Sequence, residues 1–466
     1  MIYYNMTKMS INQTPPKTIF ITSFQGLISR VLASGFLAKL REGSGLRIIL
    51  LVPDFKKDYF ESVFGGQPGV MVEGLGRERL PRRAFLFHKL TFVLLDTKTM
   101  RLTRRSFRGY RHFYQFLLVQ IVASVLGRWR FVRNLFRSIN YYFSGPPVFA
   151  DYFEKYSPLL VFSTDVKDLL DSQLIIEAKK RKIYSIGMVR SWDYLTGKGL
   201  VRVRPDKLVV HNELLKKQAE RYADMKPEDI FVSGIPHYDP YINEKRLNRD
   251  DFFKKIGADS GKRLIFYAPW GDKFADTDWQ FLEILSQAIR RGELPSALQI
   301  LVRLPPGDTV AGLEKFESDP VFIFDSPGVG FGKRHRKANE MNYQDLFHLA
   351  DSLYHSTVVV TPPSTIAIDA AVFDKPVVLM AFDGFRDRGY YQGVRHYYNF
   401  DHIRNLVASG GQKLAKDKSE FIAAINQYLA DPGLDQAGRA RLVFQQCGQV
   451  DGLASARLAN YLLFFC

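Results

Sequence analysis

The 466-residue chain carries at residues 358–378 the run VVVTPPSTIAIDAAVFDKPVV. Three valines followed by Thr361 form a short buried strand, and Pro362–Pro363 cannot continue a ladder, so the chain must turn. Ser364 and Thr365 are residue types that cap a helix, and the apolar stretch behind them spaces Asp369 one turn beyond Thr365. Lys375–Pro376 ends the helix, and the next valines open another strand. Strand, turn, helix and strand in so few residues predict a parallel β-α-β unit. The amides at a helix start, with two hydroxyls beside them, form a ready phosphate site, and Asp369 is placed to accept from a ribose or polyol hydroxyl. The competing reading makes Ser364 an N-cap only and Asp369 a solvated helix residue.

The same grammar extends in both directions. RLIFYA at 263–268, LQILVR at 298–303 and VFIF at 321–324 are short apolar runs divided by helical stretches such as 278–291. A first set precedes them: TIFIT at 18–22, RIILLV at 47–52, and runs at 159–163, 183–189, 208–211 and 230–232. Strands apolar at nearly every position are buried on both faces of a parallel sheet. Polar residues 240–260 separate the two sets. The expected fold is α/β: two Rossmann-like, doubly wound domains facing across a cleft. A polar tail spans 1–16, an N-terminal domain 17–240, and a C-terminal domain 241–466 that includes the closing helix. Ligands bind beyond the carboxyl ends of such strands.

Lys plus Arg number 65 against 48 Asp plus Glu, a formal charge of +17. Residues 77–137 hold thirteen Arg and two Lys against Glu78 and Asp96, so +13 of that excess lies there. Aromatic residues interleave, among them Phe85, Phe92, Trp129 and Phe131. Val132, Leu135, Phe136 and Ile139 recur at helical steps, with Arg130, Arg133 and Arg137 beside or opposite them. A basic amphipathic helix with aromatics suits an anionic membrane surface, where each cation contributes about 1 kcal/mol. Segment 77–143 is therefore expected to face a membrane. A solvated basic face is the alternative. No RNP-like strand or zinc-knuckle spacing accompanies the arginines, so nucleic acid is not expected. The apolar stretch 113–126 carries two Gln and a Ser and falls short of the roughly 20 residues of a span. Cys447 and Cys466 offer neither a disulfide framework nor CxxC spacing. With no apolar segment in the first sixteen residues, the expectation is a cytoplasmic protein, peripheral on the inner face of the cell membrane.

Several further residues stand where strands end. Tyr267-Ala-Pro-Trp-Gly-Asp272 follows RLIFYA; Trp270 is placed to stack on a base, with Gly271 and Asp272 letting the backbone approach a ligand. A core tryptophan is the alternative. Arg303, Arg388 or Lys333 are candidates to meet an anion. In the first half, Gly26 allows close backbone approach, Arg30 can meet a phosphate, and His237, in the hinge-like GIPHYD at 234–239, is expected as a cleft wall. Asp193, in Ser191-Trp192-Asp193 after the run at 183–189, is the leading general base, because activating a hydroxyl needs a carboxylate or imidazole in reach. A turn-forming Asp is its competing reading. The glycines at 328–332 and the basic residues 333–337 lack a GK[ST] ending and predict a mobile basic loop over the cleft. No HExxH, paired CxxC or GxSxG occurs, so neither a metal nor a cofactor is expected.

Taken together, VSGIPHYD (232–239), YAPWGD (267–272), LVRLPP (301–306), TPPSTIAIDAAVFDKPVV (361–378) and the ending Asp451-Gly-Leu-Ala-Ser-Ala-Arg457 resemble the GT-B glycosyltransferase superfamily. The likeness is strongest to its CDP-glycerol glycerophosphotransferase and capsular-polysaccharide branch, over residues 180–466. The resemblance implies a nucleotide-activated donor in the C-terminal half, with Ser364, Thr365 and Asp369 at donor-binding positions. Two departures stand out: Pro305–Pro306 where the branch has His-Pro, and Ser191-Trp192-Asp193 where it has His-Gly. They turn the expectation from phosphodiester synthesis toward a metal-independent glycosyltransferase. That enzyme would move a sugar from a nucleotide donor to a lipid-linked or surface-glycan acceptor. A CDP-glycerol-type polyol-phosphate transferase, a nucleotide-sugar epimerase or hydrolase, and a non-catalytic scaffold are the alternatives.

Overall fold

The computed structural model of the protein describes residues 16–27, 29–76, 79–106, 113–332 and 338–466. Two parallel sheets organise it. The N-terminal sheet comprises β1 (Thr18–Thr22), β2 (Arg47–Pro53), β3 (Val70–Leu75), β4 (Leu160–Ser163), β5 (Tyr184–Met188), β6 (Lys207–Val210) and β7 (Ile230–Val232). The C-terminal sheet comprises β8 (Arg263–Tyr267), β9 (Leu298–Arg303), β10 (Phe322–Asp325), β11 (Val358–Thr361), β12 (Val377–Met380) and β13 (Gln412–Ala415). Their orders are 3-2-1-4-5-6-7 and 10-9-8-11-12-13. The α/β GT-B architecture read from the sequence is the observed one. Central strands such as β1, β8 and β11 are buried along their length, with helices on both faces.

Strand order reverses between β1 and β4 and again between β8 and β11, so each sheet has one switch point at its carboxyl edge. The N-terminal crevice is filled from within. The Thr164 amide donates to Thr22 Oγ1 (2.9 Å), Ser163 Oγ to Asp171 Oδ1 (2.8 Å), and Lys167 Nζ to the Gly199 carbonyl (2.5 Å), all buried. In the C-terminal sheet, the loops after β8 and β11 open on a cleft between the two halves.

Side-chain contacts hold the halves together. Lys56 Nζ meets Glu340 Oε1 at 2.5 Å with both side chains fully buried, and Ser29 Oγ donates to Glu340 Oε2 at 2.7 Å. The Thr99 amide and hydroxyl donate to Asp401 Oδ2 at 2.9 and 3.0 Å. Residues 328–332 also reach across: Phe331 packs edge-on to Phe55 and Tyr59 of the first half.

One boundary needs correction. The closing helix Ala454–Leu463, assigned by sequence to the donor domain, packs on the N-terminal sheet. Leu458, Ala459 and Leu462 join the core around Ile19 and Ile48, and Tyr461 stacks on Phe231 with ring centroids 4.0 Å apart. Asp239 caps this helix, accepting from the amides of Ala454 (3.0 Å) and Ser455 (2.6 Å).

The basic segment forms the helices Arg82–Leu94, Lys98–Ser106, Phe113–Leu126 and Arg130–Tyr142. Part of its charge is turned inward, contrary to expectation. Arg133 and Arg137 hold Asp224 at 2.6 Å, and Arg101 and Arg128 hold Asp96 at 2.7 and 2.9 Å. Trp129 and Phe131, 64 and 72 % exposed, remain on the outer face with Leu135 and Ile139. Among the described residues, no helix is long and apolar enough to cross a membrane. Most of the polar tail (1–15), and Arg77, Glu78, residues 107–112 and the basic run 333–337 with Lys333, lie outside the described residues.

Candidate functional site

The cleft has a volume of about 640 Å³ and is walled by both halves. From the C-terminal half, Pro362, Pro363, Ser364, Thr365 and Ile366 line it, so the helix Thr365–Val372 begins at its edge. Ser364 caps that helix: its Oγ accepts from the Ile366 amide (3.3 Å) and shares a hydrogen bond with Thr361 Oγ1 (3.0 Å). Thr365, at the first helical position, is exposed.

Asp369 also lines the cleft but is buried, so it is not the solvated helix residue that stood as one sequence reading. Its Oδ1 accepts from the Tyr241 hydroxyl at 3.2 Å. Burial pushes its carboxyl up to about 6 against the opposing pull of the Tyr238 hydroxyl, the Arg30 charge and Tyr241.

The loop after β8 is held by one carboxylate. Asp278 accepts from the amides of Trp270 and Gly271 and from the Tyr267 hydroxyl, each at 2.9 Å, and burial lifts it to about 6. Trp270 is both a core residue and a cleft wall: it is buried, packs 5.6 Å from the Tyr397 ring, and has its indole nitrogen unpartnered among the described residues. Gly271 and Asp272 do not reach the cleft. Gly271 takes φ 76°, and a Cβ there would lie 2.7 Å from Asp308 Oδ2. Asp272 Oδ1 accepts from the Ala311 amide (3.0 Å), so this pair fastens a turn to the 308–311 loop.

The proposed cations sort unequally. Arg303 lines the cleft, but its guanidinium is bonded to Asp325 and to the Asp345 carbonyl (3.3 Å), with His348 Nε2 on the same Asp325 at 3.2 Å. It braces β9 against β10 and is not free for a diphosphate. Arg388 pairs with Asp276 at 2.5 Å, away from the cleft. Arg30 does face the cleft; its Nε donates to the Leu27 carbonyl at 3.2 Å. Lys273 is a further cation there, one the sequence reading passed over.

Gly26 and His237 stand elsewhere. A Cβ on Gly26 would lie 2.9 Å from the Asn339 carbonyl oxygen, so this glycine permits the two halves to approach each other rather than a ligand. His237 lies outside the cleft wall, where burial, and then the Arg30 charge, hold its imidazole neutral.

Asp193 faces the cleft from the N-terminal half, with Lys198 Nζ at 3.3 Å. Burial alone would raise its carboxyl; Lys198, His402 and the Ser191 hydroxyl outweigh that and hold it below the ordinary aspartate range. His402 comes from the opposite half, its ring 4.9 Å from that of Trp192 and its Nδ1 buried without a partner among the described residues. Sequence reasoning missed His402, Lys198 and Tyr397 because none follows a strand end within its own loop. Only the closure of one half on the other brings His402 to Trp192. The cleft is rich in rings: Trp192, Trp270, Phe274, Tyr397 and Phe400 line it. No group of three His, Cys, Asp or Glu placed to hold a metal ion occurs among the described residues.

This arrangement has counterparts. The Staphylococcus aureus MnaA–UDP structure superposes with a TM-score of 0.56 at 12 % identity, covering 96 % of each chain. A UDP-GlcNAc 2-epimerase from Neisseria meningitidis bound to UDP-GlcNAc gives 0.53 at 10 %, over 96 % of this chain and all of that one. A variant of the wall teichoic acid polymerase TagF gives 0.53 at 14 %, over 97 and 89 %. Identities this low establish the shared fold alone. In sequence, the teichoic acid glycerol-phosphate primase of Bacillus spizizenii is 24 % identical over 196 residues, 41 % of this chain and 44 % of the primase, so the match spans less than half of that relative. Residues 196–464 match the family described as CDP-glycerol:poly(glycerophosphate) glycerophosphotransferase. That stretch is more than half of the chain and takes in the whole C-terminal sheet, and the chain belongs to this family.

Proposed function

We propose that the protein transfers a sugar from a nucleotide diphosphate donor to a hydroxyl of a lipid-linked or surface-glycan acceptor. One observation carries the reading: Asp193 of one half and the helix start at Ser364–Thr365 of the other open on the same cleft. The donor diphosphate lies against that helix start, where the macrodipole and Arg30 and Lys273 balance its charge without a metal. Trp270 and Tyr397 flank the base or the sugar. Asp193 takes the proton of the acceptor hydroxyl as its oxygen bonds to the anomeric carbon. The anomeric C–O bond breaks, and its electron pair leaves on the diphosphate. The ring-rich wall suits the apolar faces of a base and a hexose, and the UDP and UDP-GlcNAc named for two structural counterparts make a uridine nucleotide the first donor class to test.

The outer face of Trp129, Phe131, Leu135 and Ile139 is assigned to an anionic membrane surface, which would bring a lipid-linked acceptor to the enzyme. Family membership favours a second reading, in which the donor is CDP-glycerol and a polyol phosphate is transferred. Product analysis with UDP-sugars and with CDP-glycerol as donors separates the two. Asp193→Asn is expected to cut turnover at least a hundredfold while leaving nucleotide affinity within twofold. Undiminished turnover in that variant would remove Asp193 as the base.

A further inference from the structure

Behind the cleft, on the other side of the helix Asp401–Ala408, runs a groove at the seam of the two halves. Its volume is about 670 Å³. The cleft takes His402 and Ile403 from this helix, and the groove takes Arg404, Asn405 and Ala408. Lys217 and Arg221 of the N-terminal half face Arg404 across it, and none of the three is in an ion pair among the described residues. Asp401 is the one carboxylate in its lining, and it is engaged by Thr99. Arg221 and Tyr222 also line an adjoining pocket of about 410 Å³, whose other walls are Leu95, Gly127, Arg133 and the Asp96 carboxylate with Arg101 and Arg128 paired to it. Trp129 and Phe131, which follow Arg128 in the chain on either side of Arg130, are both exposed. The groove thus continues past the Asp96–Arg128 pair toward an apolar rim.

We infer that the groove formed by Lys217, Arg221 and Arg404 binds a phosphate group carried by a lipid. The inference deepens the membrane reading above and rests on it. Three cations against the single carboxylate of Asp401 leave a net positive field in a concave seam, where low-dielectric walls focus it on an anion. Guanidinium groups match phosphate oxygens with paired hydrogen bonds. The apolar rim specifies the source: a free phosphate has no use for Trp129 and Phe131, whereas a lipid phosphate places its glycerol or chain against them.

The test is flotation of the full-length protein with vesicles of phosphatidylcholine, with and without 20 mol % (roughly one lipid in five) of phosphatidylglycerol. The expected result is binding that requires phosphatidylglycerol, is displaced by millimolar inorganic pyrophosphate, and weakens at least tenfold in Arg221→Glu/Arg404→Glu. The control pair Lys254→Glu/Lys255→Glu changes the net charge equally, on a helix remote from the groove, and is expected to lose less than twofold. Equal losses in the two pairs would overturn the inference, as would vesicle binding that pyrophosphate leaves untouched. Pyrophosphate binding by calorimetry with no vesicle binding would overturn the lipid source. Nucleotide affinity measured on the same preparations keeps the two readings apart, since it reports the cleft and is expected to be unchanged in both pairs.

Discussion

Asp369 and Asp193 are two carboxyls on one cleft whose surroundings push them in opposite directions. Burial raises Asp369 to about 6 in the folded protein, above an unfolded value of about 3.9. The native state therefore binds more protons between those values, and the stability from the neutral carboxyl is full below about pH 4 and lost as pH rises through 6. Asp369→Asn is expected to flatten that part of the stability–pH curve, read as urea midpoints between pH 4 and 7; an unaltered slope would mean that Asp369 titrates normally. Asp193, held low, stays ionised well into acid. Turnover should accordingly keep its acid limb below about pH 4, and a limb near 6 would remove Asp193 as the base. Both residues were visible in the sequence as polar groups beyond strand ends. Their environments were not, because burial follows from tertiary packing and some of the neighbours, Tyr241 for Asp369 and His402 for Asp193, lie 128 and 209 residues away in the chain.

At the scale of elements, the loop after β8 depends on Asp278, which satisfies two backbone amides and a buried hydroxyl. Asp278→Ala strands all three and is expected to cost about 3 kcal/mol, measured by denaturant unfolding, and to weaken nucleotide binding by loosening Trp270. A loss below about 0.5 kcal/mol would show that the loop is held by other contacts. Central strands were legible because burial on both faces leaves a continuous apolar run, as in VVVT and RLIFY. The two strands that sequence missed are both at sheet edges. β3 (VMVEGL) and β13 (QKLA) each mix polar residues into the run, since one side of an edge strand meets solvent or loops. The partners of the basic helices were hidden for a related reason. Arg133 and Arg137 carry the pattern of a membrane face, yet their shared partner, Asp224, lies beyond the periodicity of any single helix.

For the molecule as a whole, the relation between the halves rests on a buried ion pair. Glu340→Ala strips the Lys56 ammonium of that carboxylate inside the seam, an arrangement whose loss is expected to cost about 3–5 kcal/mol. Chemical unfolding would show it as a lower midpoint, and an unchanged midpoint would mean that the seam contributes nothing to stability. The crossing of the closing helix onto the N-terminal sheet adds a second tie between the halves, since Leu458, Ala459 and Leu462 pack on the core around Ile19 and Ile48. All of the proposed chemistry depends on a nucleotide diphosphate seated at the helix start after Pro362–Pro363. Calorimetric titration of UDP and CDP into the wild type and Thr365→Glu tests that most directly. A carboxylate at the first helical position would face the diphosphate, and the account predicts saturable binding of at least one nucleotide that weakens tenfold or more in the variant. Equal affinity in the two proteins, or no binding of either nucleotide to the wild type, would contradict it.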